Sequence, residues 1–322
     1  MRKVSLLFGT AILAFALFAG AQTYPAKPVK MVVPSTPGGS ADLVGRAIAQ
    51  KLSEIWPHPV TVDNRPGAGD AIGVDYVAKS VPDGYTLLMA TNSIFVNTPH
   101  MLKLPFDVFA DFTPVIQAVT VPFLLVVNSS VPARNMNELI AYAKANPDKL
   151  KYGSSGNGVH QHLLTELLKR SAGVEILHVP YKGSAQTITD LLAGQVNVYV
   201  GVSGLLMPHI KSGRLRAIAS AGEKRNANFP DLPTIADAVP GFNAKLGDPW
   251  LGLFLPVNTP RAIVLRVNTD IARVLNEPEM KAFLASRGFD VDTSSPEGLA
   301  NTLKADFASW GRVIREANIK PD

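Results

Sequence analysis

Val29-Lys30-Met31-Val32-Val33-Pro34-Ser35-Thr36-Pro37-Gly38-Gly39-Ser40 runs an apolar, strand-like segment into a short Pro/Gly/Ser loop, and residues 43–55 follow with helical apolar spacing through Val44, Ala47, Ile48, Leu52 and Ile55. The pattern recurs twice. Residues 149–152 lead into Gly153-Ser154-Ser155-Gly156-Asn157-Gly158 before a helical stretch over 159–171, and residues 176–179 lead into Tyr181-Lys182-Gly183-Ser184 before another over 185–192. At each junction the first N–H groups of a helix and the positive end of its dipole aim at one spot. An anion can be held there without a metal or an arginine. Three such loops, far apart in sequence, read as the walls of a cleft that captures a small carboxylate, not as an enzyme's active site.

The first 21 residues read as an export signal: Arg2 and Lys3, an apolar run over 4–18, then Ala19-Gly20-Ala21 as an A-x-A cleavage site. Cleavage after Ala21 and a periplasmic location are expected, because the run is shorter than the roughly 20 residues a spanning helix needs. No later stretch is long and apolar enough to span a bilayer. The 322 residues include no cysteine, which excludes disulfides, thiolate metal sites and lipid attachment through cysteine. Of 31 basic and 26 acidic residues, only Arg2 and Lys3 fall in the leader, so the rest carries 29 and 26, a net +3. The basic residues are scattered, with no aromatic-interleaved cluster, and nucleic acid is not an expected partner.

Strands and helices alternate, which predicts parallel sheets covered on both faces. Further strands are expected at 60–62, 85–90, 196–200 and 215–220, and further helices up to about residue 80 and over 136–145, 260–275, 278–286 and 296–317. Residues 114–128 form a long apolar stretch broken only by Pro122, suited to crossing between lobes, and residues 250–255 read as the return crossing. The expected organisation is a first lobe of residues 22–122 and 251–322 split around a second of 123–250, with the cleft between facing strand ends. Each lobe is expected to be a mainly parallel sheet flanked by helices.

Several constellations could carry chemistry. Adjacent Gly38 and Gly39 let the backbone approach a ligand or make a simple tight turn; Ser40 is a candidate N-cap, and Asp42 complements the helix dipole and can clamp the loop. The loop 153–158 offers two hydroxyls and an amide among three glycines. His160 and His162 are two apart and so do not form the i, i+4 pair of a helical zinc site; no metal or cofactor is expected. Gly153-Ser154-Ser155-Gly156-Asn157 lacks the last glycine of G-x-S-x-G, which weakens a serine-hydrolase reading. Gly67-Ala68-Gly69-Asp70-Ala71-Ile72-Gly73 imitates a dinucleotide fingerprint, but Asn64-Arg65-Pro66 separates it from its strand, so the glycines are expected to pack the helix start closely. Lys182 either faces an anion or is simply exposed. Trp250 either walls the cleft or packs at the hinge.

Six ordered motifs carry a family resemblance: Pro34-Ser35-Thr36-Pro37-Gly38-Gly39-Ser40-Ala41-Asp42, Asn64-Arg65-Pro66-Gly67-Ala68-Gly69, Pro82-Asp83-Gly84-Tyr85-Thr86-Leu87-Leu88, His178-Val179-Pro180-Tyr181-Lys182-Gly183, Asp190-Leu191-Leu192-Ala193-Gly194-Gln195-Val196 and Trp250-Leu251-Gly252-Leu253. With them the chain resembles the substrate-binding subunits of tripartite tricarboxylate transporters, also called Bug proteins, over essentially its whole length beyond the leader. The resemblance implies a type II-like periplasmic binding-protein fold of two α/β lobes that closes on a small organic acid and presents it to two integral-membrane subunits. It also implies first-lobe ligand contacts at Ser35, Thr36, Gly38, Gly39, Asp42, Thr91 and Asn92, and second-lobe contacts at Ser154, Ser155, Gly156, Asn157 and Gly158. Tyr181, Lys182, Gly201, Asp248 and Trp250 complete the expected ligand-binding set.

Three departures from the family pattern bear on specificity. Ser35 stands where the family usually has an aromatic, Gly201 where it often has an acid, and Asp248 adds an acid near the return crossing. The altered wall is expected to admit a bulkier acid than aspartate or glutamate, and Asp248 to meet a polar or cationic substituent. A monomeric receptor serving transport is the leading expectation; a hydrolase or transferase using the same cleft, and a sensing partner of a membrane kinase, are the alternatives.

Overall fold

A computed structural model describes residues 24–319, so the expected leader and its cleavage site lie outside the described residues. The chain alternates β1 (Val29–Val33), α1 (Ser40–Ile55), β2 (Val60–Asn64), α2 (Ala71–Ala78) and β3 (Thr86–Thr91), then passes through α3 (Ser93–Val96) and a 3-10 turn at Thr98–His100 to β4 (Phe112–Thr120). After only Val121 and Pro122 comes β5 (Phe123–Asn128), followed by α4 (Met136–Ala145), β6 (Lys151–Ser154), α5 (His160–Ala172), β7 (Leu177–Pro180) and α6 (Ser184–Leu192). Then come β8 (Val198–Val202), α7 (Ser203–Lys211), β9 (Leu215–Ser220), α8 (Ile235–Ala238), β10 (Trp250–Pro256), α9 (Arg261–Leu275), α10 (Pro278–Ser286), β11 (Asp290–Val291) and α11 (Pro296–Glu316). Among the described residues no helix is long and apolar enough to cross a membrane.

The strands form two sheets. One has six strands in the order β11-β4-β10-β3-β1-β2, the other five in the order β7-β6-β8-β5-β9. Four residues of β1, Val29, Met31, Val32 and Val33, are buried, as a strand covered by helices on both faces requires. Helix α1 buries Val44, Ile48 and Leu52 at four-residue spacing, a single apolar stripe. Helix α4 is fixed at its start by a reciprocal cap: Asn135 accepts from the Glu138 N–H at 2.9 Å, and the Glu138 carboxylate accepts from the Arg134 N–H at 2.8 Å. The result is the two-lobed α/β architecture expected from the sequence.

In one respect the sheets depart from the expectation: they are mixed. β1 pairs parallel with β2 and β3, and β6 parallel with β7 and β8, whereas β10 runs antiparallel to β3 and β4, and β5 antiparallel to β8 and β9. The reason is topological. A βαβ strand ends at the cleft edge, but a strand that has just crossed from the other lobe starts there, so β5 and β10 run against their neighbours. Element ends also shift. Helix α1 starts at Ser40, with Gly39 as N-cap rather than Ser40, and β8 spans 198–202, which puts Gly201 inside the strand instead of after it.

In the glycine-rich run that leads into α2, Gly73, already inside the helix, is a packing device. A Cβ on Gly73 would stand 2.8 Å from the Arg65 carbonyl oxygen and 2.8 Å from the Pro34 Cα, both backbone atoms of the loops after β2 and β1. Gly73→Ala is therefore expected to destabilise by about 1–3 kcal/mol, the usual cost of overpacking. It should lower the urea midpoint at unchanged slope; an unchanged midpoint would show that α2 does not rest on these loops.

Candidate functional site

The loops after β1, β3, β6 and β7 lie at the edges where the parallel strands end. In the first lobe the loop after β1 is shaped by Asp42. Its carboxylate accepts from the Gly38 N–H at 2.9 Å, from Arg46 Nε at 2.9 Å and from Asn64 Nδ2 at 2.9 Å, while Asn64 Nδ2 also reaches the Ser35 carbonyl at 3.1 Å. Gly38 takes φ +86°, a left-handed conformation that suits glycine. Burial by itself pushes the Asp42 carboxyl up, but the hydrogen bonds from Arg46, Gly38 and Asn64 outweigh it and hold the group below its ordinary value. Both oxygens are thus engaged inside the lobe, and Asp42 clamps the loop that carries Thr36, Gly38 and Gly39.

Two other expected contacts are differently placed. Ser35 Oγ and Asn92 Oδ1 are buried and without a hydrogen-bond partner. The Asn92 N–H is fixed by the Trp250 carbonyl at 2.9 Å, one residue beyond Thr91 at the end of β3. Asn97, which sequence reasoning missed, is 1% exposed with both side-chain amide atoms unpartnered. It sits at the end of the four-residue α3, too short to leave a periodic signal.

In the second lobe Ser154 is fully buried. Its Oγ donates to the Gly156 carbonyl at 2.7 Å and lies 2.7 Å from His178 Nε2, which leaves it inside the loop rather than on its surface. The Gly158 N–H donates to His162 Nδ1 at 3.0 Å, and Ser155 Oγ reaches Gln161 Oε1 at 3.3 Å. Behind the loop the His162 and His178 rings stack at 3.9 Å, and Tyr152 stacks on His178 at 4.6 Å. The Tyr152 hydroxyl donates to Glu166, itself paired with Lys169 at 2.8 Å. These histidines shape the loop, and no group of three metal-ligating side chains occurs among the described residues. The lobes touch where Gly158 meets Met101 and where Gly204 meets Gly288.

The remaining candidates scatter. Lys182 is exposed. The Tyr181 hydroxyl donates to Asp190 at 2.8 Å, and Gly201 is covered by the ring of Tyr199. Trp250 is buried, its Nε1 donating to Asp306 Oδ2 at 2.8 Å, so it packs at the crossing. With Asp248 it lines a cavity of about 500 Å³ that also includes Arg225, Lys245, Asp290 and Asp306 but none of the strand-end loops named above. Asp248 Oδ1 accepts from the Phe123 N–H at 2.8 Å.

Burial pushes the Asp248 carboxyl up to about 7, against the pull of its Phe123 hydrogen bond, and Asp290 adds to the rise. Because the folded chain then keeps a proton that the unfolded chain has released, this group makes stability fall as pH rises from about 4 to about 7. Asp248→Asn retains an acceptor for Phe123 and cannot ionise. Melting temperatures taken between pH 4.5 and 8 should fall less steeply, or rise more, for this variant than for the parent, the remaining pH dependence combining Asp70, Asp290 and Asp306, raised by burial, with His100 and His160, which burial lowers and which act in the opposite sense. Equal slopes would remove Asp248 as a source.

Comparison with known proteins places this geometry. Residues 44–319 match the model of the tripartite tricarboxylate transporter family receptor. Protein BugT of Bordetella pertussis is 35% identical over 302 residues, 93% of this chain and 92% of BugT. Among solved structures, Rpa4515 of R. palustris with adipate is 36% identical with a TM-score of 0.78, covering 93% of this chain and all of that one. The periplasmic binding protein BugD is 31% identical with a TM-score of 0.73 over the same shares. Family and neighbours are substrate-binding receptors, not enzymes. With its six motifs, its two mixed sheets and the loops at their facing edges, this chain belongs to the tripartite tricarboxylate transporter receptor family, the Bug proteins.

Proposed function

We propose that the protein is a periplasmic receptor that captures a small organic carboxylate between residues 22–122 with 251–322 and residues 123–250, acts as a monomer, and delivers its ligand to the two membrane subunits of a tripartite tricarboxylate-type transporter. The observation that carries the reading is the pair of unpartnered buried polar atoms, Ser35 Oγ and Asn92 Oδ1, on loops at the cleft edge of the first lobe. In this reading the second lobe contributes Ser155, Gly156, Asn157 and Gly158, in a glycine-rich loop that leads into α5 and whose Gly158 lies against Met101 of the first lobe. Buried polar atoms cost free energy unless a partner satisfies them, and a bound acid with its water would supply one. The adipate bound by the 36% identical Rpa4515 supports a carboxylate as the ligand class, and the expected leader supports export.

The enzyme alternative loses its natural nucleophile, since Ser154 is fully buried and its hydroxyl is spent on Gly156. Closure would follow from the ligand's greater affinity for the closed state, which is also the form a transporter or a membrane sensor would read.

A thermal-shift screen of residues 22–322 tests the reading, using protein unfolded and refolded to strip bound ligand, against aliphatic, amino and aromatic acids. Ligand at a hundred times its dissociation constant stabilises by roughly 2.7 kcal/mol, enough to raise the melting temperature by several degrees. A selective rise is expected for aliphatic or aromatic acids longer than aspartate. A flat response across all acids from well-folded protein would reject the carboxylate reading.

A further inference from the structure

Tyr199 occupies an unusual position. It lies in β8, is 1% exposed, and packs among Leu124, Val126, Ile188, Leu191 and Leu206 on the face of the second sheet covered by α6 and α7. Residue 201 is two positions further along the same strand, so it points to the same face, closer to the cleft edge. There the chain has glycine, and a Cβ placed on Gly201 would stand 2.6 Å from Tyr199 Cζ and 2.8 Å from its hydroxyl oxygen. The ring therefore leans along the strand over Gly201 and carries its hydroxyl toward the edge where β6 and β7 also end.

At that edge the hydroxyl is buried and makes no well-formed hydrogen bond. Beside it are the side chains of Ser184, the first residue of α6, and Gln161, in the first turn of α5. Gln161 in turn accepts from Ser155 of the glycine-rich loop. A neutral donor thus stands near the starts of two helices whose dipoles favour negative charge. We propose that the Tyr199 hydroxyl is a specificity-determining ligand contact of the second lobe, donating to the distal carboxylate of a dicarboxylate whose other carboxylate is held by the first lobe. This rests on the carboxylate-receptor reading above and deepens it.

The chemistry favours a diacid over a monoacid of equal length. A ligand ending in a methyl group leaves the phenol unpaired in a closed cleft, and sites built to hydrogen-bond a polar group reject analogues that lack it far more strongly than apolar pockets reject a missing methylene. Burial raises the Tyr199 hydroxyl above its ordinary value, with Ser184 and Gln161 drawing it back, so it remains a protonated donor. Its ring fills the space a side chain at 201 would claim, which ties the specificity to the glycine.

Titration calorimetry of the parent and Tyr199→Phe with adipate and with hexanoate tests the proposal. The parent is expected to prefer adipate. Tyr199→Phe should weaken adipate about tenfold or more and leave hexanoate unchanged, while the unliganded melting temperature stays level, because the lost hydroxyl has only loose contacts with Ser184 and Gln161. Unchanged adipate binding overturns the proposal and leaves the receptor reading standing. A fall in melting temperature with equal losses for both acids also overturns it, as the mark of a structural hydroxyl. Folded parent protein that binds neither acid overturns this proposal, while a response to other acids in the thermal-shift screen would leave the broader receptor reading intact.

Discussion

Two short runs of backbone, residues 120–123 and 247–250, pass side by side between the sheets, and the rest of the molecule depends on their peptide groups finding partners there. The Val121 N–H donates to the Pro249 carbonyl at 2.7 Å, the Phe123 N–H to Asp248, and the Asn92 N–H to the Trp250 carbonyl. Pro122 has no N–H to place, so it can stand where one sheet's ladder stops and the next begins. The crossing sets the strand directions on both sides, and with them the edge at which the candidate ligand loops lie.

Within those loops charge is balanced locally. Asp42 is matched by Arg46 and Asn64, and Glu166 by Lys169, so the charged side chains that shape the loops after β1 and β6 are neutralised where they stand. Attraction for an acid then rests on neutral donors and helix starts, which fix geometry more than they supply raw Coulomb energy. Such a site can change its ligand through small wall substitutions while the frame stays the same. In the proposed site Ser35 and Tyr199 are two such walls, one in each lobe.

The alternation of strand and helix was legible because buried strands such as β1 are unbroken apolar runs and helices such as α1 carry a four-residue stripe. Mixed sheet direction was not legible, since residues 112–120 and 123–128 look alike whichever way they pair. Nor were α3 and the two-residue β11, which are too short for any period to register. At the candidate site, motif reading singled out loops that the structure puts at strand ends, but not what each residue does in them. Asp42 and Ser154 hold backbone in place, whereas Asn97 and Tyr199 carried no signal because an isolated polar residue within an apolar segment looks like ordinary core. The Tyr199 arrangement depends on a missing side chain two residues away, a relation visible only once the strand is built.

Those same short approaches bear on how the lobes can move. A Cβ on Gly222 would run into the Asp248 carboxylate, and one on Gly247 would overlap the Ala221 carbonyl, with the Gly222 nitrogen at 2.6 Å. A third segment, residues 221–222, therefore lies in backbone contact with the return crossing, and the Ala221 N–H donates to the Phe123 carbonyl at 3.0 Å. Three strands of chain packed at this distance resist sliding, because any translation along the crossing drives backbone into backbone. Rotation about the bundle keeps those contacts, and the approach of Gly204 to Gly288 lies beside the bundle too, since the Ser203 N–H donates to the Pro122 carbonyl at 2.9 Å. The proposed closure is accordingly a hinge motion set by a few torsions near Pro122, Ala221 and Pro249, and side chains added at Gly222 or Gly247 would act on the hinge before they touched any ligand.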